Sequence, residues 1–187
     1  MQGTKSTLFD LLSSSCDRHA QKNAFSSLGS NLTYSQFLEY SKSLANYLKV
    51  DLKLKPGDRV AIMMPNLLQY PVAIFGIILA GGVVVNLNPL DKAPALKREL
   101  KKSEARIIIV LEHFISELNK IIDDIDLEHM IFTSVGALYN PIKGFIYNFI
   151  IRYIKRQVPA WKFSSKAKKY KITRFQKALK IGSKHDF

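Results

Sequence analysis

The residues from which an active site is most readily built are sparse in this chain, and their spacing decides against most of the chemistry they do. His19, His113, His129 and His185 are dispersed. His113 beside Glu112 reads as a helix start rather than a metal ligand, and the lone Cys16 completes neither a zinc set nor an internal disulfide. Phosphate binding needs closely spaced backbone amides and a lysine to offset the charge. The nearest approach to such a loop among nine glycines, Gly81-Gly82, has no Ser, Thr or Lys beside it. Asn66 reads as a helix cap, and Asn88-Pro89 follows a strand where a tight turn explains the pair. No catalytic, cofactor-binding or metal-ligating residue is assigned.

One constellation does point to a function. Ile142, Phe145, Ile146, Phe149, Ile150, Tyr153 and Ile154 fall at helical spacing, with Lys143, Arg152, Lys155 and Arg156 beside them and nine further basic residues behind. Such a helix suits an anionic lipid surface, and Phe145, Phe149, Arg152, Tyr153, Lys155 and Arg156 are the candidate membrane-surface residues. A hydrophobic face of this kind packs equally well on protein. Nucleic acid is the least favoured partner, because the lysine-rich stretch carries no recognised motif beyond Trp161, Phe163 and Tyr170 that could stack on bases.

Charge is segregated in the same way. Residues 1–140 hold 15 Lys or Arg against 14 Asp or Glu, whereas residues 141–187 hold 13 against 1, so all but one unit of the formal +13 belongs to the last part of the chain. The opening MQGTKSTLFD lacks the basic stretch, apolar run and cleavage site of a secretory signal. A cytoplasmic location, peripheral on the inner face of the cell membrane, is the expectation.

The elements that would position these residues alternate between strand and helix. A helix is predicted over 8–20, a strand over 24–28, and a turn at Gly29, Ser30 and Asn31 leading to Leu32 and Thr33 as a hairpin. Thr33 with Gln36 forms a capping box for a helix carrying Phe37, Leu38, Leu44, Ala45, Tyr47 and Leu48. After the turn at Lys55-Pro56-Gly57-Asp58, a strand over 59–64, a helix over 67–80 stopped by Gly81-Gly82 and a strand over 83–87 make a βαβ unit. Both strands should be covered on both faces. Residues 67–90 carry no charge, but Gly81, Gly82, Pro89, Asn86 and Asn88 argue against a membrane span. Helix over 95–103, strand over 106–111, helix over 113–123 and strand over 129–133 continue the pattern. The class is α/β with parallel βαβ units, divided into an α/β part over 1–140 and a basic amphipathic helix and tail over 141–187. The amphipathic helix is expected to end at Pro159, and 161–187 shows no clear period.

The stretch GDRVAIMMPNLLQYPVAIFGIILAGGVVVNLNPL over 57–90 is similar to the corresponding region of bacterial long-chain fatty acid CoA ligases. LTYSQFLEYSKSLANYL over 32–48 resembles a segment that adenylate-forming, AMP-binding enzymes carry before it, and NFIIRYIKRQVPAW over 148–161 resembles the one that follows. The chain departs at DKAPALKRELKKSEA over 91–105, where the family has an aromatic and Thr-Pro opening, so the contact made by the family's tyrosine does not carry over. The resemblance covers nearly the whole chain but roughly the first third of a family member. It implies a partial amino-terminal lobe of the adenylate-forming fold. The family uses ATP and Mg to make an acyl adenylate from a long-chain fatty acid, then passes the acyl group to coenzyme A. Its phosphate loop, magnesium-side Glu, ribose-binding Asp and late catalytic Lys would all lie beyond Phe187. The resemblance therefore implies no cofactor for this chain alone and no activity by itself; a carboxyl-terminal remainder of the ligase on another chain is a candidate partner whose existence the sequence does not decide. An isolated lobe of this kind would be marginally stable and prone to aggregate through uncovered edge and apolar surface.

Overall fold

The computed structural model describes residues 7–150 and 170–187. Helix α1, Leu8–Arg18, starts from a reciprocal cap: Thr7 Oγ1 accepts from the Asp10 amide at 3.2 Å, while Asp10 Oδ2 accepts from the Thr7 amide at 2.8 Å. Strands β1, Asn23–Ser27, and β2, Ser30–Thr33, form the hairpin. Its turn is Leu28-Gly29, one residue earlier than the sequence indicates, and both residues hold positive φ, 49° and 70°. A two-residue connection needs such angles to match the twist of the strands, so Ser30 and Asn31 are drawn into β2. The predicted Thr33–Gln36 box then opens α2, Tyr34–Asn46, with bonds of 3.2 and 3.1 Å. A π-helical turn, Tyr47–Asp51, extends it.

Five parallel strands make the main sheet in the order β4-β3-β5-β6-β7: β3 Arg59–Met63, β4 Val83–Asn86, β5 Ile107–Leu111, β6 His129–Thr133 and β7 Lys171–Arg174. The uncharged 67–90 stretch becomes helix α3, Gln69–Leu79, followed by β4. Among the described residues no helix is long and apolar enough to cross a membrane. The alternation of strand side chains sorts the core into two layers. Val60, Ile62, Ile107, Ile109 and Ile131 face α2 and α3, whereas Ala61, Met63, Ile108, Val110 and Met130 face α4, Ala93–Ser103, and α5, Ile115–Asn119.

Four differences from the sequence reading have physical reasons. First, β3 is covered on both faces, but β4 is the edge strand and Val83 is 47% exposed. Second, the single helix expected over 113–123 is a 3₁₀ turn, Glu112–Phe114, the short α5, and a second 3₁₀ turn, Ile122–Asp124. Its buried apolar residues are Ile115, Leu118 and the adjacent Ile121 and Ile122, with Ile125 just beyond, and the short α-helix followed by a tighter turn buries them all. Third, Asn66 does not cap α3; the N-cap position is Leu68, which makes no side-chain cap bond. Fourth, residues without a clear sequence period form β7 and α7, Phe175–Gly182. Phe175, Ala178, Leu179 and Gly182 bury one stripe of α7 against the same core as α2, and Lys177 and Lys180 remain exposed.

Candidate functional site

Helix α6, Pro141–Phe149, carries the part of the predicted surface that is described. Asn140 caps it by accepting from the Ile142 amide at 3.1 Å, and Pro141 occupies the first turn, where its missing N–H costs nothing. One face holds the helix to the body. Gly144 lies so close to Gly136 that a Cβ on either would stand 2.5–2.6 Å from the other's carbonyl oxygen. Asn148 Oδ1 accepts from the Gly136 amide at 3.0 Å, Tyr147 donates to the Leu28 carbonyl at 3.3 Å, and Lys143 Nζ donates to the Gly29 carbonyl at 3.3 Å. Tyr139 and Tyr147 meet edge to face with ring centroids 5.6 Å apart. Burial raises the Tyr139 phenol above its ordinary range, so it is neutral at pH 7.

The opposite face of α6 is apolar and open. Ile142 and Phe145 are each 72% exposed, Ile146 and Phe149 about half exposed, and the two phenylalanine rings stack at 6.3 Å. These positions follow the i, i+3, i+4, i+7 spacing of a single stripe. Of the candidate membrane-surface residues, Phe145 and Phe149 are thus brought together, while Arg152, Tyr153, Lys155 and Arg156 lie outside the described residues.

Phe145 and Phe149 also form one wall of a groove of about 360 Å³ above the carboxyl ends of β5, β6 and β7, with Glu112, Phe132, Ser134 and Arg174 among its other residues. The Arg174 guanidinium lies 5.8 Å from the centre of the Phe132 ring, a cation–π contact. Glu112 is buried immediately after β5, next to the point where the chain order reverses between β3 and β5. The carboxyl side of such a reversal is where open α/β sheets bind ligands. Arg174, Phe132 and Glu112 escape a reading of the sequence because the groove exists only once β7 pairs with β6. The usable signal is the β-branched pair Ile172-Thr173, hidden among lysines.

The remaining polar residues take structural roles. Asn88 Oδ1 accepts from the Leu90 amide at 3.1 Å and its Nδ2 donates to Asp91 at 3.0 Å, which makes Asn88-Pro89 a turn. Asn66 borders an apolar recess with Phe25, Leu67, Tyr70, Ile74 and Phe75. His19 packs on Tyr34, and His185 sits 3.2 Å from Asp51. At the amino ends of the strands Arg59 pairs with Glu104 at 2.6 Å, and Arg106 with Glu128 at 2.9 Å. Among the described residues no three His, Cys, Asp or Glu side chains gather to hold a metal.

Comparison with known proteins adds a lineage to this geometry. The AMP-binding enzyme family matches residues 12–140. The long-chain-fatty-acid–CoA ligase of Escherichia coli O6:H1 is 43% identical over 155 residues, covering 83% of this chain and 28% of that protein. The protein of that description from Haemophilus influenzae is 37% identical over 176 residues, covering 94% and 30%. The chain therefore spans less than a third of the length of these curated relatives. Among solved structures, coronafacic acid ligase from Pectobacterium brasiliense superposes with a TM-score of 0.68 at 17% identity over 92% of this chain and 29% of its own. A long-chain-fatty-acid-CoA ligase from Archaeoglobus fulgidus superposes with 0.63 at 20% identity over 71% and 28%. At those identities the likeness is one of fold, and the fold is the amino-terminal lobe of adenylate-forming ligases.

Proposed function

Because the chain belongs to the AMP-binding enzyme family, we propose that it is the amino-terminal portion of an ATP-dependent long-chain fatty acid CoA ligase and forms no acyl-CoA by itself. The observation that carries this reading is the identity to long-chain ligases of 37–43% over 83–94% of the chain, in a sequence without a phosphate-binding loop. The complete enzyme would activate a long-chain fatty acid with ATP and Mg, then transfer the acyl group to coenzyme A. The residues present do not fit the triphosphate. Helix α3 starts from Leu68 without a Ser, Thr or Gly-rich loop before it, and Gly81-Gly82 ends that helix instead of opening one. No step through ATP or Mg is therefore assigned to this chain. Its part is to supply the packed strands and helices of the first lobe, in the cytoplasm.

The purified 187-residue chain, given ATP, Mg, coenzyme A and a long-chain fatty acid, should yield neither acyl-CoA nor ATP-to-pyrophosphate exchange. Turnover in either assay would refute the reading. Restored acyl-CoA formation on adding the carboxyl-terminal remainder of a related ligase as a separate chain would support a split enzyme, and silence would count against it.

A second reading rests on the open α6 stripe beside a basic sequence. This face adheres to anionic phospholipid at the inner face of the cell membrane, with the aromatic residues in the interface and the cations against headgroups. Co-sedimentation with phosphatidylglycerol vesicles should weaken with salt and with the Arg152→Glu, Lys155→Glu, Arg156→Glu variant. Equal retention by neutral and anionic vesicles would remove the idea.

A further inference from the structure

The two edges of the sheet are built differently. The β7 edge carries Lys171 and Arg174, the charged side chains with which proteins commonly guard an open strand. The β4 edge, Val83-Val84-Val85-Asn86, has no charge, proline or bulge, and among the described residues no strand pairs with its outer side. Val83 and Leu87 donate inward to the Asp58 and Ile62 carbonyls at 2.8 and 2.9 Å. By the two-residue period of a strand, the N–H and C=O groups of Val84 and Asn86 therefore point outward. Water satisfies such groups on an open edge, and another extended strand does so with fixed geometry.

We propose that β4 pairs antiparallel with β4 of a second copy of this chain, about a two-fold axis passing beside Val85. The parity of the outward groups is self-complementary about that residue. Val84 of one copy exchanges both backbone bonds with Asn86 of the other, and the reverse, so one symmetry operation forms four hydrogen bonds. Charge favours a second copy as occupant. Residues 67–90 hold no Lys, Arg, Asp or Glu, so the axis brings no like charges together, and the β7 cations Lys171 and Arg174 belong to the opposite edge. The half-exposed Val83 would be covered in the process. The result is a continuous ten-stranded sheet.

Sedimentation velocity of the full chain across a dilution series is expected to show a reversible monomer–dimer equilibrium. Val84→Pro removes an outward N–H that makes no bond to β3, and Val83→Lys places a charge at each end of the paired segment. Both variants should be monomeric with an unchanged far-ultraviolet circular dichroism spectrum. Register is read separately. Val85 faces its symmetry mate as a non-hydrogen-bonded pair with Cα atoms about 4.5 Å apart, within disulfide reach, whereas Val84 does not face its own counterpart. Mild oxidation should cross-link Val85→Cys into a dimer and leave Val84→Cys largely monomeric. A wild-type chain that stays monomeric at every concentration overturns the proposal. So does a dimer that persists in both edge variants, or equal cross-linking at the two cysteine positions.

Discussion

Tyr47 and Thr173 join the end of α2 to the last strand of the sheet, 126 positions later, through a hydrogen bond of 2.8 Å in which the phenol donates to Oγ1. Both side chains are buried. A hydrogen bond of this kind contributes about 0.5–1.5 kcal/mol net, while a buried group stripped of its partner costs about 1–3 kcal/mol. Tyr47→Phe should therefore cost about 1–2 kcal/mol, and Thr173→Val a similar amount, since it strands the phenol O–H. In the double variant neither group is stranded, and the loss should fall short of the sum of the singles by about 1 kcal/mol. Urea denaturation followed by fluorescence gives the three differences, with the slopes checking that the unfolding reaction is unchanged. Additivity within about 0.3–0.5 kcal/mol would show that the residues do not meet, and with that the docking of β7 and α7 would fail. The same residue has a signature in pH. Burial raises the Tyr47 phenol above its ordinary value, so the unfolded chain ionises first as pH passes about 10 and stability declines there. Tyr47→Phe should flatten that decline.

Other expectations follow from local geometry. Leu28 holds φ of 49° in the hairpin turn, a region that asparagine tolerates better. Leu28→Asn should raise the melting temperature by relieving part of the roughly 1–2 kcal/mol that a left-handed residue costs. Gly182 approaches the Ser43 backbone so closely that no Cβ fits without movement of α7. Gly182→Ala should cost at least about 1–3 kcal/mol in chemical denaturation, whereas the exposed Lys180→Ala should be near neutral. Burial lowers the His129 pKa, so below about pH 6.5 the unfolded chain takes up a proton that the folded chain resists, and stability falls with pH. His129→Gln should reduce that slope in melts run from pH 7.5 to 5.5.

Much of the fold is legible where one residue type does one job. Thr33 and Gln36 announce the start of α2, Gly81-Gly82 the end of α3, and β6, His129–Thr133, is the apolar and β-branched run from 130 to 133 with His129 before it. Legibility fails where a distant partner decides. Thr173 and Ile172 look like polar and apolar noise among lysines until His129, Met130 and Ile131 present a strand edge for Lys171, Ile172 and Thr173 to pair with. The site divides along the same line. The stripe through Phe145 and Phe149 is written in a local period, whereas the groove of Glu112, Phe132 and Arg174 gathers residues from the turn after β5 and from strands β6 and β7, and no local period contains it.

The rings of Phe9 and Phe187 lie 5.7 Å apart, with the Lys42 ammonium over both. A contact between residues so far separated in sequence closes only after almost all the intervening chain is placed, and such long closures make for slow folding. During synthesis helix α1 must wait for Phe187 before this cluster can form, leaving Phe9 open to other hydrophobic partners until then. A fluorophore and quencher at positions 9 and 187 would accordingly time the completion of the fold rather than its onset.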